Sequence, residues 1–141
     1  MALHVDIRKR LGSFSLDVAF TARDGEVTGL LGASGCGKSL TLKCVAGIER
    51  PDEGRIELDG RVLFDSAARI DLPPQKRQVG YLFQSYALFP NMTVEQNIAA
   101  GVRNRSARVQ TTARLIRALW LEGQEKKYPR QLSGGQQQRA A

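Results

Sequence analysis

Gly32-Ala33-Ser34-Gly35-Cys36-Gly37-Lys38-Ser39 constrains this chain more than any other stretch, because it fits G-x-x-x-x-G-K-[ST] at every fixed position. The spacing has a physical reason. Glycines let the backbone curl so that successive N–H groups turn inward onto an anion. A helix that begins where the loop ends aims its positive end at the same anion. Lys38 adds a mobile point charge for the outer phosphates of a nucleotide, and Ser39 offers a hydroxyl to Mg²⁺. Leu40 follows at the loop's edge. The flanks agree with this reading. Glu26-Val27-Thr28-Gly29-Leu30-Leu31 reads as a buried strand running into Gly32. Beyond the loop, Leu42, Val45 and Ala46 fall on one helical face, and Gly47 is a natural helix stop. A glycine-rich strand-to-helix turn without a ligand is the plainer alternative, and the complete motif argues against it.

The rest of the chain suits one α/β domain over residues 1–141. Its 141 residues can bury a core, and 42% hydrophobic content is that of a globular chain. Phe14, Leu16, Val18 and Phe20 alternate with polar or small residues, as in a half-buried strand. Asp59-Gly60 between Arg55–Leu58 and Arg61–Phe64 signals a two-residue hairpin. Val79–Phe83 reads as a second short buried strand ending at Gln84. Thr93 and Gln96 predict a capping box with Val94 and Ile98 behind it. Val109, Ala113, Ile116 and Trp120 predict a buried helical stripe that Gly123 ends, with Trp120 in the core. Residues 1–84 are thus a strand-rich core carrying the loop, and residues 85–141 a helical part.

Composition excludes several classes. No apolar run approaches the roughly 18–20 residues that span a bilayer. Met1–Asp6 lacks a secretory pattern, so a cytoplasmic location is expected. Cys36 and Cys44 suit packing or loop geometry better than a disulfide, and with His4 they are too few for a Cys/His metal site. His4 reads as surface or strand packing. The net charge of +7 lies wholly in residues 101–141, since residues 1–100 carry twelve basic and twelve acidic side chains. Such an excess fits a nucleic-acid face, an acidic partner segment or a solvated helical face. The basic residues are spread rather than clustered, which favours the solvated face over nucleic acid.

Kinases, GTPases and transport ATPases share the phosphate loop; Leu132-Ser133-Gly134-Gly135-Gln136 decides among them. This run resembles the Leu-Ser-Gly-Gly-Gln signature of ABC ATPases without a mismatch. Ser133 is a good N-cap, and the glycines expose N–H groups at a helix start near Gly135. The resemblance implies a P-loop NTPase core of the ABC ATPase type, with an N-terminal antiparallel β-subdomain and a helical insertion. It also implies ATP and Mg²⁺ as ligands, bound at Gly32, Ala33, Ser34, Gly35, Cys36, Gly37, Lys38, Ser39 and Leu40. In the family, Ser133, Gly134, Gly135 and Gln136 would face the nucleotide of a partner subunit, so a homodimer of ATPase subunits is implied. Gln84 matches the Q-loop glutamine, which implies contact with Mg²⁺, alongside Ser39, and with the attacking water.

Ser85–Val94 resembles importer ATPases, where such apolar residues help shape a groove for a helix of the membrane permease. Gly60–Ser66 and Leu72–Arg77 look most like the ATPases of molybdate importers, with sulfate, tungstate, iron and sugar importers as neighbours. The implied protein is an ATP hydrolase on the cytoplasmic face of the membrane, served indirectly by a substrate-binding protein. A soluble ABC protein of DNA repair or translation is the rival reading, and the segment after Gln84 disfavours it.

Two departures from the family pattern stand out. Where the family places an aromatic side chain on adenine, this chain has Leu11. Phe14 is the nearest aromatic residue, and its place in the alternating strand favours core packing. The family also continues past the signature helix to an Asp-Glu pair and a switch histidine, which do not follow Arg139-Ala140-Ala141. Residues 1–141 alone are therefore expected to hold a nucleotide without turning it over, as a catalytically inactive fragment would.

Overall fold

The computed structural model describes residues 2–141. They form two compact units, one running to Tyr81 and the other spanning Leu82–Ala141. The first unit is built on an antiparallel sheet of β1 (Ala2–Leu11), β2 (Phe14–Arg23), β3 (Glu53–Leu58), β4 (Arg61–Asp65) and β5 (Ile70–Asp71), in the order β2-β1-β3-β4-β5. The alternation in β2 sets its register: Val5 opposes Phe20, Ile7 opposes Val18 and Lys9 opposes Leu16. Val5 also opposes Ile56. One face of the sheet therefore carries Val5, Ile7, Leu16 and Ile56 into a core with Leu63, Phe64, Cys44 and Val45. A bulge between Ile56 and Glu57 puts one extra residue into β4, which lets the neighbours Leu63 and Phe64 both turn inward. The opposite face is laced with charge: Arg8 pairs with Asp17 at 3.1 Å, and Arg55 pairs with Glu57. His4 lies on this polar face with Nδ1 3.0 Å from Thr21 Oγ1. The Asp59-Gly60 hairpin forms as expected, with positive φ at both residues.

Two expected strands do not form. Glu26–Leu31 and Val79–Phe83 carry no strand pairing, and Val27 and Leu31 are 101% and 96% exposed. A strand buried on both faces needs neighbours on each side to satisfy its backbone groups. Among the described residues no strand runs beside either segment, and the sheet is built wholly from antiparallel pairs.

α1 (Lys38–Ala46) buries Thr41, Cys44, Val45 and Ala46 and ends at Gly47, as the sequence predicts. Leu42, expected on that face, is 47% exposed, because the buried stripe is centred on Thr41 and Cys44. A short helix, α2 (Pro74–Arg77), closes the first unit.

In the second unit α3 (Val94–Gly101) starts at the predicted capping box: Thr93 Oγ1 accepts from the Gln96 N–H, and Gln96 Oε1 accepts from the Thr93 N–H. α4 (Arg108–Ala118) and α5 (Gly134–Ala140) follow, with a 3₁₀ turn at Pro129–Gln131. Val94, Ile98, Ile116, Leu121, Leu132 and Ala140 form the core of this unit. The stripe expected on α4 is corrected. Ile116 is buried, but Val109 and Trp120 are 82% and 83% exposed, and Thr112 takes the buried place. Gly123 is not the stop either. The Trp120 N–H donates to Arg117 O and the Leu121 N–H to Ile116 O, which is a Schellman reversal with Trp120 in the left-handed position at φ 55°. The reversal turns Trp120 outward and hands the core place to Leu121, which is fully buried.

Trp120 is the only tryptophan, so native emission is expected at the wavelength of water-exposed indole. Trp120→Gly is expected to stabilise the unit by roughly 0.5–1 kcal/mol, since glycine relieves the left-handed backbone and little packing is lost. Thermal unfolding of the variant checks this; a lowered melting temperature would return Trp120 to the core.

Candidate functional site: a phosphate loop and a second capped helix start

Gly32–Leu40 form one continuous loop and helix start in the first unit. Gly32–Cys36 and Ser39 are exposed, and Lys38 is half-buried. The loop closes through the Cys36 N–H donating to Ala33 O at 3.3 Å. Gly37, with φ 97°, is the N-cap of α1 and presses on β2: a Cβ there would lie 2.6 Å from Leu16 and 3.1 Å from Phe14. Phe14 is therefore half-buried between the loop and the core, in keeping with its packing role. Leu11 is 49% exposed near the β1–β2 turn.

The Lys38 ammonium folds back over the loop. It donates to Gly32 O at 2.6 Å and Ala33 O at 2.7 Å, and Cys36 Sγ lies 3.5 Å away. The cation is thereby held at the mouth of the loop. The first turn of α1 carries no acidic side chain, so its positive end is uncompensated from within. Thr41, which the sequence reading did not single out, is 2% exposed and ties Oγ1 to Gly37 O at 3.0 Å, locking the loop-to-helix joint.

Ser39 presents an exposed hydroxyl, a hard oxygen donor, one residue beyond Lys38. Among the described residues no three His, Cys, Asp or Glu side chains cluster to hold a metal. That donor set fits Mg²⁺, which takes one or two protein oxygens together with phosphate oxygens and water rather than a full protein cage. Cys44 is buried and its thiol is pushed up to about 11 by desolvation, so it stays an inert core residue, whereas Cys36 is exposed in the loop. A surface depression lined by His4, Asp6, Thr21, Arg55 and Glu57 lies on the polar face of the sheet and includes no residue of the loop.

Gln84 and Ser133–Gln136 belong to the second unit. Gln84 is exposed on a turn closed by the Tyr86 N–H donating to Phe83 O at 2.8 Å. Tyr86 and Ala87 follow with φ 63° and 50°. Ser133 is the N-cap of α5, as predicted. Its hydroxyl accepts from the Gln136 N–H at 3.3 Å, and Gln136 Oε1 accepts from the Ser133 N–H at 2.9 Å. Gly134 and Gly135 are exposed in the first turn. The reciprocal role of Gln136 was readable as S-x-x-Q but was not drawn from the sequence. Gln137 adds a brace, its amide donating to Pro129 O and Leu132 O.

A glycine loop that passes a lysine into the start of a helix, beside an antiparallel sheet, defines a P-loop nucleotide-binding protein. The chain belongs to the ABC transporter family, whose model matches residues 16–141. It is 45% identical over 141 residues to the molybdenum import ATP-binding protein ModC of Paramagnetospirillum magneticum, covering 99% of this chain and 39% of that protein. It is 47% identical to a sulfate/thiosulfate import ATP-binding protein of Chromobacterium violaceum, covering 94% of this chain and 36% of that protein. It is 46% identical to a spermidine/putrescine import ATP-binding protein of Methylococcus capsulatus, covering 93% and 32%. The chain thus spans about two fifths or less of these relatives. Among solved structures it is similar to a dimeric bacterial ABC transporter cassette, with TM-score 0.74 and 25% identity over 99% of this chain and 66% of that one. The post-hydrolysis state of that cassette bound to ADP and Pi gives TM-score 0.77, again at 25% identity and with the same coverage. The cassette fold read from the two motifs is therefore the fold of this chain.

Proposed function

We propose that this chain is the nucleotide-binding part of an importer ATPase that couples ATP binding and hydrolysis to uptake of an oxyanion such as molybdate. The observation that carries the reading is the Lys38 ammonium held between Gly32 O and Ala33 O at the uncompensated start of α1. The N–H groups of Gly32–Ser39 wrap the phosphates, and Lys38 exchanges its two carbonyl partners for the outer phosphate oxygens. Ser39 would supply a hydroxyl oxygen to Mg²⁺, and for Gln84 the likeness to the Q-loop glutamine is the support for the same role. Bound MgATP supplies the free energy of γ-phosphoryl hydrolysis.

Ser133, Gly134, Gly135 and Gln136 face the nucleotide of a second copy in a homodimer, a reading supported by the dimeric cassette to which the chain is similar. Permease subunits dock beside Gln84, where Leu82 and Phe89 are each 55% exposed. Asn97 holds that loop in shape, accepting from the Phe89 N–H and donating to Phe89 O, Met92 O and Thr93 O. The protein sits peripherally on the cytoplasmic face of the membrane and meets a substrate-binding protein only through the permease. No described helix is long and apolar enough to cross a membrane. Molybdate is favoured over sulfate or polyamines because the import proteins that match the chain over nearly its whole length include several named for molybdenum.

Equilibrium titration with a fluorescent ATP analogue and Mg²⁺ tests the nucleotide site. ATP and ADP should displace the probe and AMP should not, because the loop contacts outer phosphates. Equal displacement by AMP would defeat the reading. Deleting the gene should abolish molybdate uptake while sparing sulfate and spermidine uptake; the converse would reassign the cargo.

A further inference from the structure

Arg77 is 1% exposed, the only charged side chain buried this deeply among the described residues. Every arm of its guanidinium is engaged. Nε donates to Leu72 O at 2.6 Å, Nη2 to Asp71 Oδ1 at 2.9 Å, and Nη1 to Cys44 O and Val45 O at 2.8 and 3.1 Å. The last two acceptors are carbonyls at the C-terminal end of α1, where a cation suits the helix dipole. Gly47 makes the room: a Cβ there would stand 2.5 Å from Arg77 Nε. Burial lowers the pKa of Arg77, and Asp71 opposes the shift; a guanidinium is basic enough to keep its charge in such a site.

α1 has nine residues, a length at which an isolated helix is marginal. Its placement therefore depends on what holds its ends. The N-terminal end rests on Leu16 and Phe14 through Gly37. The other end, roughly 10 Å along the axis at 1.5 Å per residue, is held by Arg77.

We propose that Arg77 is a positioning residue for the nucleotide site: by clamping the carbonyls of Cys44 and Val45 to Asp71 and Leu72, it fixes where α1 presents Lys38 and Ser39. The inference rests on the reading of Gly32–Ser39 as a MgATP site. A helix that slips or frays at its C-terminal end carries its first turn with it, and loss of alignment by a fraction of an ångström weakens a multipoint phosphate contact.

The test measures MgATP affinity at a temperature where each protein is folded by circular dichroism. Arg77→Met, which keeps the apolar stem, should weaken binding about tenfold, and Arg77→Lys, whose single ammonium keeps a charge at the helix carbonyls but cannot also span to Leu72 O and Asp71, should recover only part of that loss. Gly60→Ala in the β3–β4 hairpin, where nothing lies within 4 Å of the added Cβ, is the control for destabilisation away from α1 and should leave the affinity unchanged. An Arg77→Met protein that binds normally, or a Gly60→Ala protein that loses as much, overturns the inference while the nucleotide site stands. Hydrogen exchange on the unsubstituted protein gives an answer that needs no variant to fold. MgATP should protect the amides of Gly47 and Ile48, which bond to Cys44 O and Lys43 O, together with that of Thr41. Protection at Thr41 alone overturns the inference. An unsubstituted protein that does not bind MgATP removes the reading of the loop, and this inference with it.

Discussion

Replacing Lys38 by alanine is expected to weaken MgATP binding by roughly ten- to a hundredfold, the worth of a hydrogen bond to a charged group. The melting temperature should hardly move. Lys38 is half-buried, and its hydrogen-bond acceptors are the loop carbonyls Gly32 O and Ala33 O and the exposed Cys36 sulfur, all of which can turn to water when it is gone. The structural cost is therefore small, and the functional cost is the loss of the cation that Lys38 holds over the loop. Arginine should not restore binding, because a planar fork cannot occupy the place of a compact ammionium bracketed by two carbonyls at 2.6 and 2.7 Å. The loss should be larger for ATP than for AMP, and it should shrink as salt rises, since part of it is Coulombic. Titration of the variant with ATP, ADP and AMP at two salt concentrations reads all of this. Equal loss for all three nucleotides would mean that Lys38 shapes the loop instead of meeting the outer phosphates.

The largest effect on stability should come from Gly54→Ala. Gly54 lies in β3 opposite Ile7 of β1, at φ 108°. A Cβ there would stand 2.0 Å from Asp6 O and 2.8 Å from Ile7 Cα, both backbone atoms, so no side-chain rotation relieves the clash. Nor can β3 retreat. Ser66 grips Gly54 from the other side: the Gly54 N–H donates to Ser66 Oγ at 3.0 Å, and Gly54 O accepts from the Ser66 N–H at 3.0 Å. Either the β1–β3 pairing or the Ser66 contacts must open. A cost above about 4 kcal/mol is expected, a large part of the stability of an ordinary domain. Gly60→Ala is the matched control. It too has a positive φ, 77°, but nothing lies within 4 Å of its added Cβ, so about 1 kcal/mol of backbone strain is the whole cost. Urea unfolding of the two variants followed by circular dichroism separates steric exclusion from backbone preference. Similar losses in both would show that the close approach of β1 to β3 is not what requires glycine at position 54.

Much of the local structure around the candidate site was legible before the fold. The glycine loop leading into α1, the Asp59-Gly60 hairpin, the Thr93 capping box and the Ser133 cap all stand where the sequence puts them. Each depends on contacts among residues within a few positions of one another, so the local sequence contains both halves of the interaction. The apolar alternation of β2 worked for a related reason, since period two fixes which residues share a face. Trp120 shows where this logic stops. Its spacing from Ile116 fits a buried stripe, yet a helix reversal without glycine turned it outward and buried Leu121 in its place. Periodicity assumes that the helix continues, and nothing local announced that it ended at Ala118.

By itself, then, the sequence determined the local pieces of the candidate site: a lysine and a hydroxyl behind a curled glycine loop, and a serine-capped glycine turn, both set by short-range sterics and hydrogen bonding. Only the tertiary structure decided which apolar runs become strands and what holds the phosphate helix in place. Glu26–Leu31 has the composition of a strand, but strand pairing needs a neighbour in space, and the described residues put none beside it. In the sequence Arg77 stands out only as the last residue of the Leu72–Arg77 stretch. It becomes the buried clamp of α1 because folding brings its guanidinium to the carbonyls of Cys44 and Val45, more than thirty positions away along the chain. Local rules cannot see such a contact, since the acceptors that justify burying the charge exist only once the helix and the sheet have met.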